Sequence, residues 1–175
     1  WVRDAIAYAG KHDVLFIIAA GNEGKDLDTV AVYPNDQVDN GSEVSDTFLT
    51  VGALEPKYGS NMVAGFSNYG KINVDVFAPG AKVYSSTPEN EYDTKGGTSM
   101  AAPAVAGVAA LIRSYYPSLT AAQVKRVLMD SGLAAQTKVV AGGDTNNVKP
   151  FGDLTKSGKM VNAYNALIMA SQMAK

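Results

Sequence analysis

Apolar and polar positions alternate along this chain in two rhythms. Val2, Ile6 and Ala9 share one helical face of residues 2–11, with Arg3, Asp4 and Lys11 elsewhere, which predicts an opening amphipathic helix. Val14 to Ala20 is an unbroken apolar run closed by Gly21-Asn22, the pattern of a strand buried on both faces in a parallel sheet under helices. Helix followed by buried strand is half of a βαβ unit. Phe48–Ala53 and Val74–Phe77 predict two further strands, and Lys82–Ser85 a fourth. Residues 23–46 are polar and acidic and predict a long surface loop. Residues 87–98 predict another, closing with Lys95-Gly96-Gly97-Thr98.

From Ser99 to about Tyr115 the pattern becomes helical. Residues Ala101 to Ile112 leave no polar face, which predicts a helix buried all round. Pro103 is compatible with it, lying near the first turn, where amides are largely unbonded. Thr120-Ala121-Ala122-Gln123 has the spacing of a capping box. Val124, Val127 and Leu128 form the stripe behind it, and Gly132 is the expected stop. A loop over 134–158 precedes a last amphipathic helix, expected from about Met160 to Met173 and burying Val161, Tyr164, Leu167 and Ile168. Strands alternating with helices predict an α/β domain with a mainly parallel sheet, spanning residues 1–175.

Composition narrows the functional classes. The chain has 175 residues, 46% of them hydrophobic, enough for one real core. Net charge is -2, and only Lys125-Arg126 are adjacent bases, so no nucleic-acid partner is expected. With no cysteine, disulfides, Cys-ligated zinc and thiol catalysis are excluded. The longest uncharged apolar run, Met100–Ile112, has 13 residues and is too short to span a bilayer. Trp1-Val2-Arg3-Asp4 opens directly in a helical pattern without a leader, so the start is expected to fall inside a domain.

Candidate chemistry centres on Gly97-Thr98-Ser99-Met100-Ala101-Ala102-Pro103. It places a serine at a helix N-terminus, where unpaired amides and a partial positive charge await. Such a serine could attack a carbonyl while its own amide faces the oxygen that turns negative. The alternative is a plain N-cap. The segment resembles the nucleophile signature of the subtilisin-like serine proteases, and it continues through Ala104-Val105-Ala106-Gly107 as theirs does. Upstream, Ala19-Ala20-Gly21-Asn22-Glu23-Gly24 is similar to the family segment whose asparagine side chain binds the oxyanion; read alone, Gly21-Asn22 is an ordinary turn. Phe66-Ser67-Asn68-Tyr69-Gly70, Val76-Phe77-Ala78-Pro79-Gly80, Tyr33-Pro34 (a cis proline by resemblance) and Gly158–Ala163 also match, and are read as structural.

The resemblance implies a three-layer αβα fold and peptide-bond cleavage with Ser99 as nucleophile and Asn22 as oxyanion donor. It further implies that Ala19, Ala20, Gly21, Glu23, Gly24 and Thr98 line the substrate groove, that substrates are peptides or proteins, and that the protein is secreted or exported. The family triad runs Asp, His, Ser, and neither of the first two segments is here. The single histidine, His12, lies at the end of the first helix and is read as a surface residue. The partner expected is therefore the N-terminal half of the same catalytic domain, and this chain alone should be almost inert. A pseudoprotease that holds peptides without cutting them is the alternative. Gly21-Asn22-Glu23-Gly24-Lys25 lacks the spacing of a phosphate loop, with Asp26 where Ser or Thr is needed. No cofactor is required. Asp26, Asp28, Asp36, Asp39 and Glu43 read as a solvated acidic loop, with structural calcium as the alternative that the family raises.

Overall fold

The computed structural model describes residues 1–37 and 39–174. Val2–Lys11 forms helix α1, with Asp4 in its first turn and Lys11 in its last, each on the side favoured by the helix dipole. Strand β1 (Phe16–Ala19) follows and pairs in parallel with β2 (Phe48–Leu54), Phe16 opposite Phe48 and Ala19 opposite Val51. All seven residues of β2 are buried. In turn β2 pairs in parallel with β3 (Val76–Pro79). The seam between them is tight: a Cβ on Gly52 would lie 2.4 Å from the Phe77 ring.

Beyond β3 the chain leaves the sheet. Val83–Thr87 (β4) does form a strand, but it pairs antiparallel with β5 (Glu91–Lys95) in a separate exposed hairpin, where open loop was expected. Next comes helix α2 (Thr98–Tyr115), which lies across β1, β2 and β3. Helix α3 (Ala121–Asp130) opens with the full capping box, Gln123 N–H donating to Thr120 Oγ1 and Thr120 N–H to Gln123 Oε1. Strand β6 (Leu133–Ala134) then returns to the sheet edge. The predicted loop over 134–158 instead holds a second hairpin, β7 (Lys138–Ala141) with β8 (Asp144–Pro150). Strand β9 (Lys159–Met160) slots between β3 and β6, giving the sheet order β1-β2-β3-β9-β6, and helix α4 (Ala163–Met173) closes the chain.

Several expectations are corrected by packing. Strand β1 is apolar throughout yet only partly covered, with Phe16 37% exposed, because it is the edge strand, paired with β2 on one side and packed under α2. Helix α2 buries Ala101, Ala102, Val105, Ala109 and Ile112, but Pro103, Ala104, Ala106, Gly107, Ala110 and Leu111 face outward with nothing over them among the described residues. The apolar sequence therefore runs over two faces of α2, of which one is covered among the described residues. Gly132 does not end α3 through a left-handed turn; its Cβ would meet Met160 O at 2.6 Å, so a close approach to β9 requires it. In α4 the buried residues are Ala166 and Ala170, whereas Tyr164 and Ile168 are exposed. Small side chains let α4 lie close to α2 and α3, and that contact sets its rotation.

The main core gathers Leu49, Val51, Val76, Val105, Ile112, Val124 and Leu128 between sheet and helices. A second cluster, around Phe77, Val139, Phe151 and Leu154, seats the β7–β8 hairpin on the opposite face.

Candidate active site

Two chain segments meet at the C-terminal end of β1. The first is the start of α2. Gly97 precedes it with φ +152, buried, its N–H donating to Gly80 O at 2.8 Å. Ser99 is the second residue of the helix and its side chain is exposed. Its amide belongs to the first turn, whose donors have no intrahelical acceptor.

The second segment is Ala20–Lys25, entered through Gly21 at φ +101. Asn22 Oδ1 accepts from the Thr98 N–H at 2.9 Å and from the Thr98 hydroxyl at 3.0 Å. Because a backbone N–H can only donate, this contact settles which amide atom faces Thr98. Asn22 Nδ2 is left pointing elsewhere. A Cβ built on Gly97 would lie 3.5 Å from Asn22 Nδ2 and 3.7 Å from Ser99 N. Asn22 Oδ1 lies 3.8 Å from the same point, so both ends of the Asn22 carboxamide and the Ser99 amide border one side of Gly97.

The 20–25 segment is fastened along 66–69. Gly24 N–H donates to Phe66 O (2.8 Å), Asn68 N–H to Gly21 O (3.0 Å) and Tyr69 N–H to Lys25 O (3.0 Å). Asn68 is wholly buried. Its Oδ1 accepts from the amides of Glu23 (3.2 Å) and Lys25 (2.8 Å), and its Nδ2 donates to Ala20 O (2.9 Å) and Glu23 Oε2 (2.7 Å). The sequence marked Asn68 only as part of a structural stretch; an Asn beside Ser67 and before Tyr69-Gly70 carries no signal that separates it from a turn. On the other side, the β7–β8 tip presses against the same segment. A Cβ on Gly142 would sit 2.2 Å from Gly24 O, and Gly142 adopts φ +62. Asn147 donates to the Tyr69 hydroxyl at 2.8 Å, and Lys149 pairs with Asp26 at 3.2 Å.

The expected groove residues are distributed unevenly. Ala19 is half-buried, Ala20 is buried, Gly21 and Gly24 are half-buried, and Glu23 is exposed. Thr98 is wholly buried, so its side chain holds Asn22 and accepts from Gly21 N–H (3.1 Å) rather than facing outward. Behind Ala19 and Ala20 lies a pocket bounded by Val30, Val32, Tyr33 and Pro34, with a cis peptide bond at Tyr33-Pro34.

His12 stays outside this assembly. It caps α1, with Nδ1 2.8 Å from Tyr8 O and its ring against Tyr8. Its neighbour Asp13 receives Arg113 Nη1 at 3.0 Å on the backbone oxygen. Arg113 lies fourteen residues along α2 from Ser99, about 21 Å at the helical rise. The chain's one imidazole therefore sits near the far end of α2 from the serine.

Much of the acidic loop is pinned or buried rather than solvated, which corrects the sequence reading at Asp26, Asp28, Asp36 and Glu43, while Asp39 is exposed. Asp28 accepts from Ile72 N–H (3.1 Å) and Asn73 N–H (3.0 Å). Glu43 pairs with Lys125 at 3.0 Å and with Lys156, and Lys125 also lies 3.7 Å from Asp75, which accepts from Thr50 N–H at 2.7 Å. Burial would raise the Glu43 pKa, but Lys156 and Lys125 outweigh it and lower it. Asp36, buried and close to the Glu43 charge, is pushed up to about 6. Among the described residues no group of three or more acidic or imidazole side chains is arranged to hold a metal ion. Asp26, Asp28 and Glu43 are engaged by lysines and backbone amides, Asp39 is exposed, and Asp36 Oδ2 is buried without a hydrogen-bond partner among the described residues.

Comparison with known proteins follows the same outline. Residues 1–158 match the subtilase family of peptidases. Subtilisin DY of Bacillus licheniformis is 38% identical over 128 residues, covering 73% of this chain and 42% of that protein. Subtilisin E of Bacillus subtilis (strain 168) is 42% identical over 125 residues, covering 71% and 30%. A lanthipeptide protease structure superposes with TM-score 0.73 at 27% identity, over 96% of this chain and 54% of that one. A chain of the subtilase cytotoxin SubAB shares the fold at TM-score 0.76 and 24% identity, over 99% and 54%. The chain spans less than half the length of these two subtilisins and about half of the matched structures.

Proposed function

The chain belongs to the subtilase family of serine proteases, and from that premise we propose that it is the nucleophile-bearing half of an endopeptidase site. Ser99 Oγ attacks the scissile carbonyl carbon, and the carbonyl oxygen becomes an oxyanion. Asn22 Nδ2 and the Ser99 N–H receive that oxygen, helped by the positive end of α2. The observation that supports this reading is that Asn22 Nδ2 and Ser99 N lie 3.5 and 3.7 Å from one point beside Gly97, while Asn22 Oδ1, 3.8 Å from it, is occupied by two hydrogen bonds from Thr98. Thr98 keeps the Asn22 oxygen turned away, so the amide hydrogens face the developing charge.

Ser99 needs a base for its proton. His12 is too far, so the histidine and the aspartate that orients it come from the N-terminal half of the same catalytic domain. That half would lie against the open side of β1 and the outer face of α2, where an apolar groove runs between Val14–Ile17 and Ala106, Ala109 and Ala110. An extended peptide or protein substrate would lie along Ala19–Gly24, with one side chain directed toward the pocket bounded by Tyr33-Pro34. Export from the cell belongs to the same proposal and rests on the likeness to subtilisins.

A fluorophosphonate probe tests the reading. It should label the full-length protein at Ser99 and leave Ser99→Ala unlabelled, with loss of peptide hydrolysis in parallel. An unlabelled intact protein would sink it and favour a domain that holds peptides without cutting them.

A further inference from the structure

Every hydrogen-bonding position of the Asn68 side chain is used, and all four partners lie in Ala20–Lys25. Residue 68 is wholly enclosed, so none of these bonds is traded with water. Backbone bonds alone already join the two segments at Phe66, Gly21 and Lys25, so the side chain is not needed merely to keep them adjacent. What it adds is local. It holds the peptide units on both sides of Asn22, at Ala20 O and at the Glu23 amide, and it draws the Glu23 carboxylate back over Gly21, whose missing Cβ would fall 2.4 Å from Asn68 Nδ2 and 2.7 Å from Glu23 Oε2.

We propose that Asn68 is a positioning residue for transition-state binding: by fixing Ala20 O, Glu23 N and the Glu23 carboxylate it sets the direction of the Asn22 carboxamide. The proposal rests on the protease reading above and adds to it a residue that never touches substrate. Asn22 Nδ2 must reach an oxygen that exists only in the tetrahedral state, and a misplacement near 1 Å costs about 100-fold. Loss of the tether should therefore fall on kcat more than on KM.

Asn68→Asp in the full-length protein keeps size and acceptor atoms but removes both donors and sets a second carboxylate against Glu23. At pH 8 kcat should fall about 10- to 100-fold with KM within about threefold. Two carboxylates in contact share a proton more readily as pH falls, so the variant should regain activity toward pH 5–6 relative to wild type. Adding Glu23→Gln supplies an amide donor to the new carboxylate but none to Ala20 O, so the double variant should recover part of the lost kcat and lose this pH dependence. An unchanged kcat in Asn68→Asp, or equal loss at all pH values without recovery in the double variant, overturns the proposal. If wild type itself cleaves nothing, the protease reading fails separately. The positioning claim is then read from hydrogen exchange at the Glu23 and Lys25 amides, which should quicken in Asn68→Ala, and equal protection refutes it.

Discussion

Asn22 Oδ1 takes two hydrogen bonds from a single residue, the amide and the hydroxyl of Thr98, at 2.9 and 3.0 Å. One buried threonine thereby fixes which end of the asparagine faces the first residue of α2. Thr98→Val preserves the shape and removes only the hydroxyl, leaving Gly21 N–H without its acceptor. In the full-length protein kcat should fall roughly tenfold, the scale of one hydrogen bond in free energy, with KM little changed. A rise in KM at constant kcat would show that Thr98 serves the substrate instead.

Removing the donor itself should cost more. Asn22→Ala is expected to lower kcat about 10²–10³-fold, a size carried over from subtilisin's own oxyanion asparagine, a relative of this chain. Fluorophosphonate labelling of Ser99 should slow in parallel. Labelling at the wild-type rate would remove Asn22 from the oxyanion hole.

Asp36 makes stability depend on pH. Its folded pKa is about 6 against an ordinary 3.8, so between those values the folded chain binds the extra proton. The stabilisation from this site is present near pH 4 and is lost as pH rises through about 6. Asp36→Asn, uncharged throughout, should raise Tm at pH 8, by about 1–2 kcal/mol in stability, and flatten the decline between pH 4 and 6. Glu43 acts in the opposite sense: its pKa is lowered by Lys156 and Lys125 against the pull of burial, so its contribution disappears only under more acid conditions. Thermal melts from pH 8 down to about pH 2 separate the two.

The cap of α3 offers a purely structural check. Thr120→Ala removes the acceptor of the Gln123 amide and should cost about 1 kcal/mol, or about 2–4 °C in Tm. Thr120→Ser should restore it. Peptide cleavage per folded molecule should not change.

At the hairpin tip, Gly142→Ala would force a Cβ to within 2.2 Å of Gly24 O at a φ of +62. Stability should drop by about 2 kcal/mol or more. KM should rise as well, since Gly24 belongs to the proposed substrate wall. A loss of stability with unaltered KM would uncouple the hairpin from the groove.

The sequence disclosed those parts whose physics is local. The capping box at Thr120 and Gln123, the parallel strands around Val51 and Val76, and the serine opening α2 are all written as periodicity or as short-range chemistry. Motif resemblance added the pairing of Asn22 with Ser99 across 77 positions. What stayed hidden depends on partners distant in the chain. Asn68 looks like any turn residue until its four acceptors and donors are seen in Ala20–Lys25. The β7–β8 hairpin, Asp144-Thr145-Asn146-Asn147 included, has loop composition and forms strands because Val139, Ala141 and Phe151 find a cover in Phe77 and Leu154. Size alone points Tyr164 and Ile168 of α4 inward, whereas Ala166 and Ala170 turn inward because the helices lie close there.

Lys125 draws together Glu43, Asp75 and the stretch around Asp36, with Lys156 completing the group. Three acids and two bases share that place, with Lys156 at its exposed edge, so mutating any one member alters the electrical balance felt by the others. Such positions are expected to drift in concert across generations: a lineage that loses Lys125 must also shed an acid, or recruit a new cation, before the fold tolerates the change. Variation at these five residues is thereby expected to be coupled, although they are spread along the chain from Asp36 to Lys156.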